Sequence, residues 1–406
     1  MKKYILLYLI IILTMGSVFS QGCLPGGITF SSQEEIDNFQ TDYSGCTEIE
    51  GYVFIVGDDI SNLNGLSTLT TVGQYLVISD NIALTSLAGL NNLHTVGDFL
   101  VIGYNNNLTD LTGLNNLVTV NEYLEISGNN SLINFTGLDN LTTIGGHFRI
   151  YENSSIISFT GLESLTTIGG ELYIFNNLAL TTLVGLNSLT SIGERLFIGC
   201  ENGNYSELTS LEGLNNLTTI GWDVTLLSNS SLLNLDGLNN LTTIGGTLTI
   251  DGNDVLESIE GITNIEAESI SNNLNIRSNP LLSTCEVNSV CNYLANPNGN
   301  ISIFNNASGC NSVEEVEDAC LVSVHNNKSK PELTISPNPA KAILFLSSNN
   351  GLSINEIKIY NQFGQIVMHK EGITSSIDIS MLDHGMYIIE LFSDGFIVRE
   401  KLMVEN

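Results

Sequence analysis

The sequence predicts an all-β protein: a solenoid of stacked 24-residue coils, followed by a small C-terminal antiparallel β-sandwich. Three observations support this. A glycine that precedes an apolar residue recurs every 24 residues over most of the chain, apolar residues inside each repeat follow a fixed spacing, and the repeat stops near residue 320, where the composition changes. A fixed period of this size indicates one supersecondary unit stacked on itself, which is a solenoid.

The repeat unit is clearest in FTGLDNLTTIGGHFRIYENSSI, residues 135–156. Counted from the anchor glycine, apolar residues fall at −5, −2, +1, +4, +7, +11 and +13, and the last pair alternates as a half-buried strand does. Good helix formers are too few for a long amphipathic helix, so each unit is predicted to be a flattened coil with short parallel strands. One step, from Gly185 to Gly213, is four residues longer, and the segment 200–207 lengthens it to 28 residues. The anchor glycines are Gly65, Gly89, Gly113, Gly137, Gly161, Gly185, Gly213, Gly237 and Gly261.

Asparagine recurs eight residues before the anchor glycine. We expect an asparagine ladder at a tight corner, with amides that bond along the solenoid axis and a backbone that tolerates left-handed angles. A ligand-binding role for this column is the alternative. The column consists of Asn81, Asn105, Asn129, Asn153, Asn177, Asn229 and Asn253.

The repeat LxGLxNLTTIGGxLxIxxNxxL resembles the receptor L-domain family, the leucine-rich, right-handed β-helix modules of growth-factor receptors and their bacterial relatives. The resemblance covers about residues 23–320. It implies a right-handed parallel β-helix of the leucine-rich-repeat-like kind, and a sheet face that is used for ligand recognition in that family. The implied role in ligand recognition rests on the shared fold alone, and proteins with the same fold can have many different functions.

The N-terminus is typical of a secretory signal peptide, predicted over residues 1–20. Two lysines precede an apolar run over residues 4–13, and a small-residue cleavage site follows. The solenoid with its caps is then predicted over residues 21–320. Export places the chain where disulfides persist. A Cys23–Cys46 bridge is expected to close an N-terminal cap, with a short helix in SSQEEIDNFQTDY.

Four cysteines, Cys285, Cys291, Cys310 and Cys320, surround a last strand-like segment at the other end of the solenoid. They allow three pairings, and the sequence does not choose between them. Both cysteine groups are expected to cover the solenoid ends, where an unpaired strand edge would invite aggregation. Cys200, in the irregular coil, is predicted to be a free thiol rather than a catalytic one, because no histidine lies near it in the sequence or in the repeat columns.

Residues 321–330 are predicted to be a linker and residues 331–406 a second domain. Lysine returns there, and apolar runs alternate with Gly, Asn and Asp turns, which is typical of a small antiparallel β-sandwich. The segment resembles the type A C-terminal sorting domain of the type IX secretion system of Bacteroidota. The resemblance implies export across both membranes, the type IX machinery and its sortase as partners, and cleavage near the linker with surface attachment or release. The matching motif residues are Pro337, Asn338, Pro339, Gly364, Gly385 and Tyr387.

The sequence contains no motif for a cofactor, a metal or an activated nucleophile: it has no P-loop, Gly-x-Ser-x-Gly elbow, HExxH or CxxC pair. The net charge of −31 argues against nucleic acid and anionic membrane as partners, because both would be repelled. Beyond the signal peptide, no stretch approaches the roughly 20 apolar residues of a transmembrane helix. We therefore predict no cofactor, no metal, no catalytic residue and no membrane span in the mature chain.

The outward positions of the main strand carry the most informative pattern. Residues at +10, +12 and +14 flank the inward pair and should face solvent on one sheet. Aromatic residues and two of the three arginines of the solenoid converge there on the N-terminal and middle coils. We predict a ligand-binding face, and the alternative is that these aromatics only pack across strands. The predicted face consists of Tyr75, Phe99, Tyr123, Arg149, Tyr151, Tyr173, Phe175, Arg195 and Phe197.

The sequence therefore predicts an exported cell-surface or secreted binding or adhesion protein that recognises an extracellular protein or glycan through this face. A passive structural spacer or coat protein without a specific ligand is the leading alternative. A polysaccharide-active β-helix enzyme is the third hypothesis. Such enzymes need clustered carboxylates on neighbouring coils, whereas the acidic residues here mostly occupy turns.

Overall fold

The computed structural model describes residues 22–200, 206–327, 333–348, 354–373, 376–393 and 396–405. The chain divides into two compact units, Met1–Ala319 and Cys320–Asn406. The predicted signal peptide, residues 1–20, lies outside the described residues.

The first unit is a solenoid whose coils contribute short parallel strands to two sheets. Strands from successive coils pair in register, so that Leu124 lies beside Phe148 and Phe148 beside Leu172. The predicted all-β solenoid of 24-residue coils is thereby confirmed. Within the described residues, the twelve strands of the long sheet are Ile28–Phe30, Val53–Ile55, Leu76–Ser79, Leu100–Gly103, Leu124–Ser127, Phe148–Tyr151, Leu172–Phe175, Leu196–Gly199, Val224–Leu227, Leu248–Asp251, Leu274–Arg277 and Ile301–Phe304. The nine strands of the short sheet in the same part of the chain are Glu48–Ile49, Thr71–Val72, Thr95–Val96, Thr119–Val120, Thr143–Ile144, Thr167–Ile168, Ser191–Ile192, Thr219–Ile220 and Thr243–Ile244.

The core runs along the inside of the coils and consists of the apolar columns of the repeat. In the fourth coil all seven inward side chains are fully buried, and burying each contributes about 2 kcal/mol. Aromatic rings stack in this core as well, with the Phe135 and Phe159 ring centroids 5.0 Å apart. The inward residues of the fourth coil are Leu132, Phe135, Leu138, Leu141, Ile144, Phe148 and Ile150.

The anchor glycine is required by the close approach of neighbouring coils. Gly137 has a φ of 113°, a left-handed conformation that residues with a Cβ rarely adopt. A Cβ at this position would also collide with the carbonyl oxygen of Leu111 in the preceding coil. Seven of the nine anchor glycines have this left-handed angle, and at all nine a Cβ would collide with the backbone of a neighbouring segment, so the close packing excludes a side chain.

The asparagine ladder is confirmed. The Asn129 Oδ1 accepts hydrogen bonds from the Asn105 backbone N–H at 3.0 Å and from Asn105 Nδ2 at 3.3 Å, and the Asn129 Nδ2 donates to the Ile102 carbonyl at 2.8 Å. The ladder continues beyond the predicted column to Asn279 and Asn306. The predicted left-handed angle lies one residue earlier than expected: the residue before each ladder asparagine adopts it, as Glu152 does with a φ of 59°.

A helix and a disulfide cover the N-terminal end of the solenoid. Helix α1, Gln33–Asp42, is the predicted short capping helix, and the Ser32 side chain accepts a hydrogen bond from the Glu35 N–H at its start. Ile36 and Phe39 on this helix are fully buried against the first coils. Cys23 and Cys46 form a disulfide with their Cα atoms 5.8 Å apart. Among the described residues, three 3₁₀ turns occur further along, at Asn64–Leu66, Glu260–Ile262 and Ala267–Ser269.

The C-terminal end carries helices α2, Asn288–Ala295, and α3, Val313–Asn327, on either side of the last strand. Cys285 is bonded to Cys310, and Cys291 and Cys320 are each disulfide-bonded. Helix α3 extends through Asn327, so the first residues of the predicted linker 321–330 are helical. Residues 328–330 lie outside the described part of the chain. Cys200 is a buried free thiol, and its burial raises the thiol pKa.

The second unit consists of two antiparallel sheets around its own core. In the described residues, the three-stranded sheet contains Leu333–Ser336, Ile343–Ser348 and Ser376–Asp378, and the four-stranded sheet contains Ile366–Ile373, Ile354–Tyr360, Gly385–Ser393 and Phe396–Val404. Leu344, Ile357, Ile389 and Leu402 are among its fully buried residues. None of the helices in the described part of the chain has the length and apolarity that crossing a membrane requires.

Candidate ligand-binding face

The candidate face is the outer side of the long sheet. Its side chains alternate along each strand with the fully buried inward residues, as Arg149 and Tyr151 do with Phe148 and Ile150. Successive coils place these outward positions side by side, with Arg149 paired in register with Tyr173. The nine predicted face residues therefore lie on one sheet and form two clusters with different chemistry.

The first cluster is a ladder of stacked aromatic rings. The ring centroids of Tyr75 and Phe99 are 4.5 Å apart with planes at 1°, and those of Phe99 and Tyr123 are 4.5 Å apart with planes at 8°. Tyr52 extends the ladder by one coil, stacking on Tyr75 at 5.4 Å, and Phe54 packs edge-on against both. The sequence analysis missed these two residues because their coil lacks an anchor glycine. The alternation around Val53 and Ile55 would have revealed them.

The second cluster surrounds a pocket of about 500 Å³ on the middle coils. This volume is within the range of about 300–1,000 Å³ that small-ligand sites occupy. Aromatic rings, two guanidinium groups and three carboxylates meet there, contributed by four successive coils. The residues that line it are Glu125, Arg149, Tyr151, Glu152, Glu171, Tyr173, Phe175 and Arg195.

Hydrogen bonds between coils fix the polar groups of this pocket. The Tyr151 hydroxyl donates to the Glu125 Oε1 at 2.7 Å, and the Ser127 hydroxyl donates to the same oxygen at 3.2 Å. The Arg149 Nε donates to the Glu171 Oε1 at 2.8 Å. Side chains held by neighbours in this way present their remaining donors and acceptors in defined positions, which is what a binding site requires.

Phe197 lies on the predicted face but is not available as a contact surface. Its ring stacks on Tyr173 at 4.8 Å, packs against Phe175 at 6.0 Å, and lies under the Arg195 guanidinium, which is 4.5 Å from the ring centroid. Only 7% of Phe197 is exposed as a result. Arg195 takes its place at the surface, and in the described part of the chain its buried Nε has no hydrogen-bond partner.

Three tyrosines of the face, Tyr123, Tyr151 and Tyr173, have hydroxyl groups whose pKa is raised, in each case chiefly by burial. Burial, together with the hydrogen bond to Glu125, raises the pKa of Tyr151 to about 12. Burial and the nearby Glu125 charge also raise the pKa of Tyr123. The Tyr151 hydroxyl therefore remains protonated at physiological pH and holds the Glu125 carboxylate in place.

A difference titration tests this hydrogen bond. Subtracting the ultraviolet phenol titration of a Tyr151→Phe variant from that of the wild type should isolate one phenol with a midpoint at about 12. Because the folded state favours the protonated phenol, its contribution to stability is complete below the ordinary tyrosine pKa of about 10 and is lost as the pH rises through the higher value. In a Glu125→Gln background the midpoint should fall towards the ordinary value. A wild-type midpoint already at the ordinary value would contradict the assignment.

The sorting-motif residues lie in the second unit, where they organise strand ends and turns. The Asn338 side chain bonds to the last strand twice, donating to the Lys401 carbonyl at 2.6 Å and accepting from the Met403 N–H at 2.9 Å. The Tyr387 hydroxyl donates to the Asp383 carbonyl at 2.9 Å. Gly364, with a φ of 74°, lies in the turn between two strands. Pro337 and Pro339 flank Asn338, and Gly385 begins the strand that contains Tyr387.

One group of potential metal ligands occurs in the described residues, at Glu356, His369 and Glu371 on the surface of the second unit. Lys358 and His369 already pair with the Glu356 carboxylate at 2.7 Å each. The group is therefore occupied by its own ion pairs, and exposed acidic clusters of this kind are common without a metal.

Stacked leucine-rich coils with an internal asparagine ladder define the first unit as a leucine-rich-repeat solenoid. Six copies of the model for the BspA type leucine rich repeat region match residues 47–174, 127–253 and 166–295. Together these matches cover more than half of the chain, and the chain belongs to this family. Residues 334–405 match the secretion system C-terminal sorting domain, which indicates type IX secretion to the cell surface or the extracellular space.

A similar curated protein is Beta-agarase D of Zobellia galactanivorans. It is 29% identical over 104 residues, which are 25% of this chain and 21% of that protein. The matched segment spans about a fifth of the length of this relative, so the likeness is partial.

Proposed function

We propose that this chain is an exported binding or adhesion protein that recognises an extracellular protein or glycan through the outer face of its long sheet. The observation that carries the proposal is the pocket around Tyr151, Tyr173 and Arg195. Exposed aromatic and arginine side chains in a concave site are the groups that dominate binding energy in known interfaces.

The distribution of arginine favours binding over the passive spacer. The solenoid outside the signal peptide has only three basic residues, and two of them, Arg149 and Arg195, line this pocket. A spacer needs a solvated surface, which the many acidic and amide side chains of the other coils already provide. The first cluster, by contrast, fits a stabilising role, because the rings between Tyr52 and Tyr123 occupy each other's faces.

A non-enzymatic role is part of the proposal. The likeness to Beta-agarase D covers a quarter of this chain and about a fifth of that protein. Glu125 and Glu171 in the pocket already accept hydrogen bonds from Tyr151 and Arg149. Both carboxylates are therefore held by partners on neighbouring coils, whereas a glycosidase needs a carboxyl group that is free to donate a proton to the leaving group.

We also propose that the sorting domain, residues 331–406, engages the type IX machinery and its sortase, with cleavage near residues 321–330. The compact core of the second unit supports a separate role for this segment. Its motif residue Asn338 is exposed apart from its bonds to the last strand.

A binding screen with a pocket variant tests the proposal. The purified full-length chain is screened against extracellular-matrix proteins and polysaccharides, with release of reducing sugar followed in parallel. A variant in which Tyr151, Tyr173, Phe175 and Arg195 are replaced by alanine should bind at least about a hundredfold more weakly, because two or more central anchors are lost. Circular dichroism should show that this variant keeps the solenoid fold.

The control variant carries Thr225→Ala and Thr249→Ala, which lie on the same sheet face beyond the pocket. It should bind as the wild type does. A folded pocket variant with undiminished affinity would contradict the proposed site. A blank in every binding assay would favour the spacer, and product release would favour the enzyme.

A further inference from the structure

We infer that the pocket takes a neutral sugar ring of a polysaccharide. The inference rests on the proposed function and adds the class of ligand. It is drawn from the balance of charge in the pocket, from the state of its aromatic rings, and from the hydrogen bonds that remain to be made there.

The first argument is the charge balance. The pocket combines the carboxylates of Glu125, Glu152 and Glu171 with the guanidinium groups of Arg149 and Arg195. A cationic side chain of a partner protein would have to approach both arginines. An anionic group would have to approach the three carboxylates and a chain with a net charge of −31. A ligand without charge avoids both penalties.

The second argument excludes a purely apolar ligand. An apolar group would remove water from five charged side chains without replacing any of the hydrogen bonds, and burying unpaired charges is expensive. A hydroxyl group both donates and accepts a hydrogen bond. Neighbouring hydroxyls can therefore donate to a carboxylate such as Glu152 and accept from a guanidinium such as Arg195 at the same time.

The third argument concerns the aromatic rings. In the first cluster the rings face each other, so a ligand cannot stack between them. In the pocket, Tyr151 forms no stacked or edge-on pair with another ring of the described residues, and its hydroxyl is anchored to Glu125. Tyr173 and Phe175 form a tilted pair at 5.7 Å beside it, and Phe197 stacks on Tyr173 from the next coil. Half-buried rings of this kind offer an apolar surface to the C–H face of a pyranose while the polar groups meet its hydroxyls.

The test uses the full-length chain and three probes: a neutral polysaccharide panel of glucan, galactan and mannan, an acidic polyuronate, and poly-L-lysine. Binding of at least one neutral polysaccharide is expected. Its affinity should change less than about twofold between about 0.05 M and 0.5 M salt, because salt screens the attraction between charged groups and a neutral sugar carries no charge. Binding of only poly-L-lysine or only the polyuronate, with a strong salt dependence, would overturn the inference.

The variant Arg195→Met removes the guanidinium donors while its aliphatic side chain still covers Phe197. It should weaken binding of the neutral polysaccharide about tenfold, the loss expected for a hydrogen bond to a charged group. Removing this positive charge would instead leave unchanged or strengthen the binding of a basic partner. Unchanged affinity for the neutral polysaccharide in this variant would overturn the inference.

The matched control is Arg277→Met. Arg277 lies on the same sheet face, pairs with Asp251 at 2.8 Å and approaches the Phe304 ring, but it does not line the pocket. It should leave affinity at the wild-type value. If Arg195→Met fails to fold, Glu152→Gln replaces an exposed pocket carboxylate and should weaken neutral-sugar binding several-fold, with unchanged affinity as the contrary result.

The two levels of the proposal fail in different ways. Binding of a protein or a charged polymer that is lost in the four-alanine pocket variant, with no neutral polysaccharide bound, overturns the sugar ligand and leaves the binding face in place. Binding of a neutral polysaccharide that survives the pocket variant overturns the site itself.

Discussion

Replacing Asn129 with alanine is expected to lower the free energy of unfolding by about 3–5 kcal/mol, since buried polar groups left without partners cost about 1–3 kcal/mol each. Asn129 is fully buried. Its loss leaves the Asn105 backbone N–H without its acceptor, removes one of the two acceptors of Asn105 Nδ2, and takes from the Ile102 carbonyl the amide that donates to it. The methyl group of alanine can neither donate nor accept a hydrogen bond, so it cannot replace the bonds that are lost. Chemical denaturation followed by circular dichroism measures the effect.

The adjacent residue is the matched control. Asn130 is exposed, and its amide bonds to the Asn106 side chain at 2.9 Å in contact with solvent. Asn130→Ala should change stability by less than about 0.5 kcal/mol, as surface substitutions usually do. Equal effects of the two substitutions would show that the ladder does not contribute as a buried network. A larger effect at position 130 would contradict the assignment of the column.

The constant 24-residue spacing predicted the solenoid, because each coil repeats the apolar pattern of the coil before it. The inward residues Leu124 and Ile126 repeat as Phe148 and Ile150 one coil later, and the pairing in register follows from the constant step. In a parallel stack, equivalent positions of successive coils lie side by side. The sequence therefore predicts which residues point outward on the same grounds as it predicts which residues form the core. The same logic predicted that the buried asparagines bond along the axis.

What the sequence could not supply is the geometry within those columns. Phe197 and Tyr173 have equivalent positions, yet one is covered by Arg195 and the other lines the pocket. The difference depends on which rotamer a neighbouring long side chain adopts, and spacing alone contains no information on that. The bond between Tyr151 and Glu125 likewise joins two different columns on adjacent coils, so no single column indicates it.

The ends of the solenoid were predicted least completely, for a related reason. Helix α1 has a local signal, with a serine cap and acidic residues in its first turn. Helix α2 has a weaker one, because the position before it is valine, which makes no side-chain cap. Helix α3 has a signal like that of α1, since the Ser312 hydroxyl accepts a hydrogen bond from the Glu315 N–H and acidic residues lie in its first turn. Both α2 and α3 lie where the last coil of the solenoid needs a cover. This need arises from the tertiary structure, and the repeat pattern ends before the residues that meet it.

Removal of residues 334–405 is expected to abolish delivery of the chain to the cell surface and the medium. This segment matches the secretion system C-terminal sorting domain. It also has its own buried core, including Ile357 and Ile389, so the solenoid does not depend on it for folding. The truncated chain should therefore remain inside the cell envelope with the circular dichroism of a folded solenoid. Fractionation of a type IX-competent host, with protease shaving of intact cells, measures the distribution.

The control in this experiment is the four-alanine pocket variant with the sorting domain intact. It should reach the surface or the medium at the wild-type level, because its sorting domain is intact and all four substituted residues lie in the first unit. Truncated chain on the surface would refute the dependence on the sorting domain. Retention of the pocket variant inside the cell envelope would show that export also depends on the solenoid. A loss of binding in cells could then not be attributed to the sheet face. With export intact, adhesion lost by the pocket variant reports on ligand recognition alone.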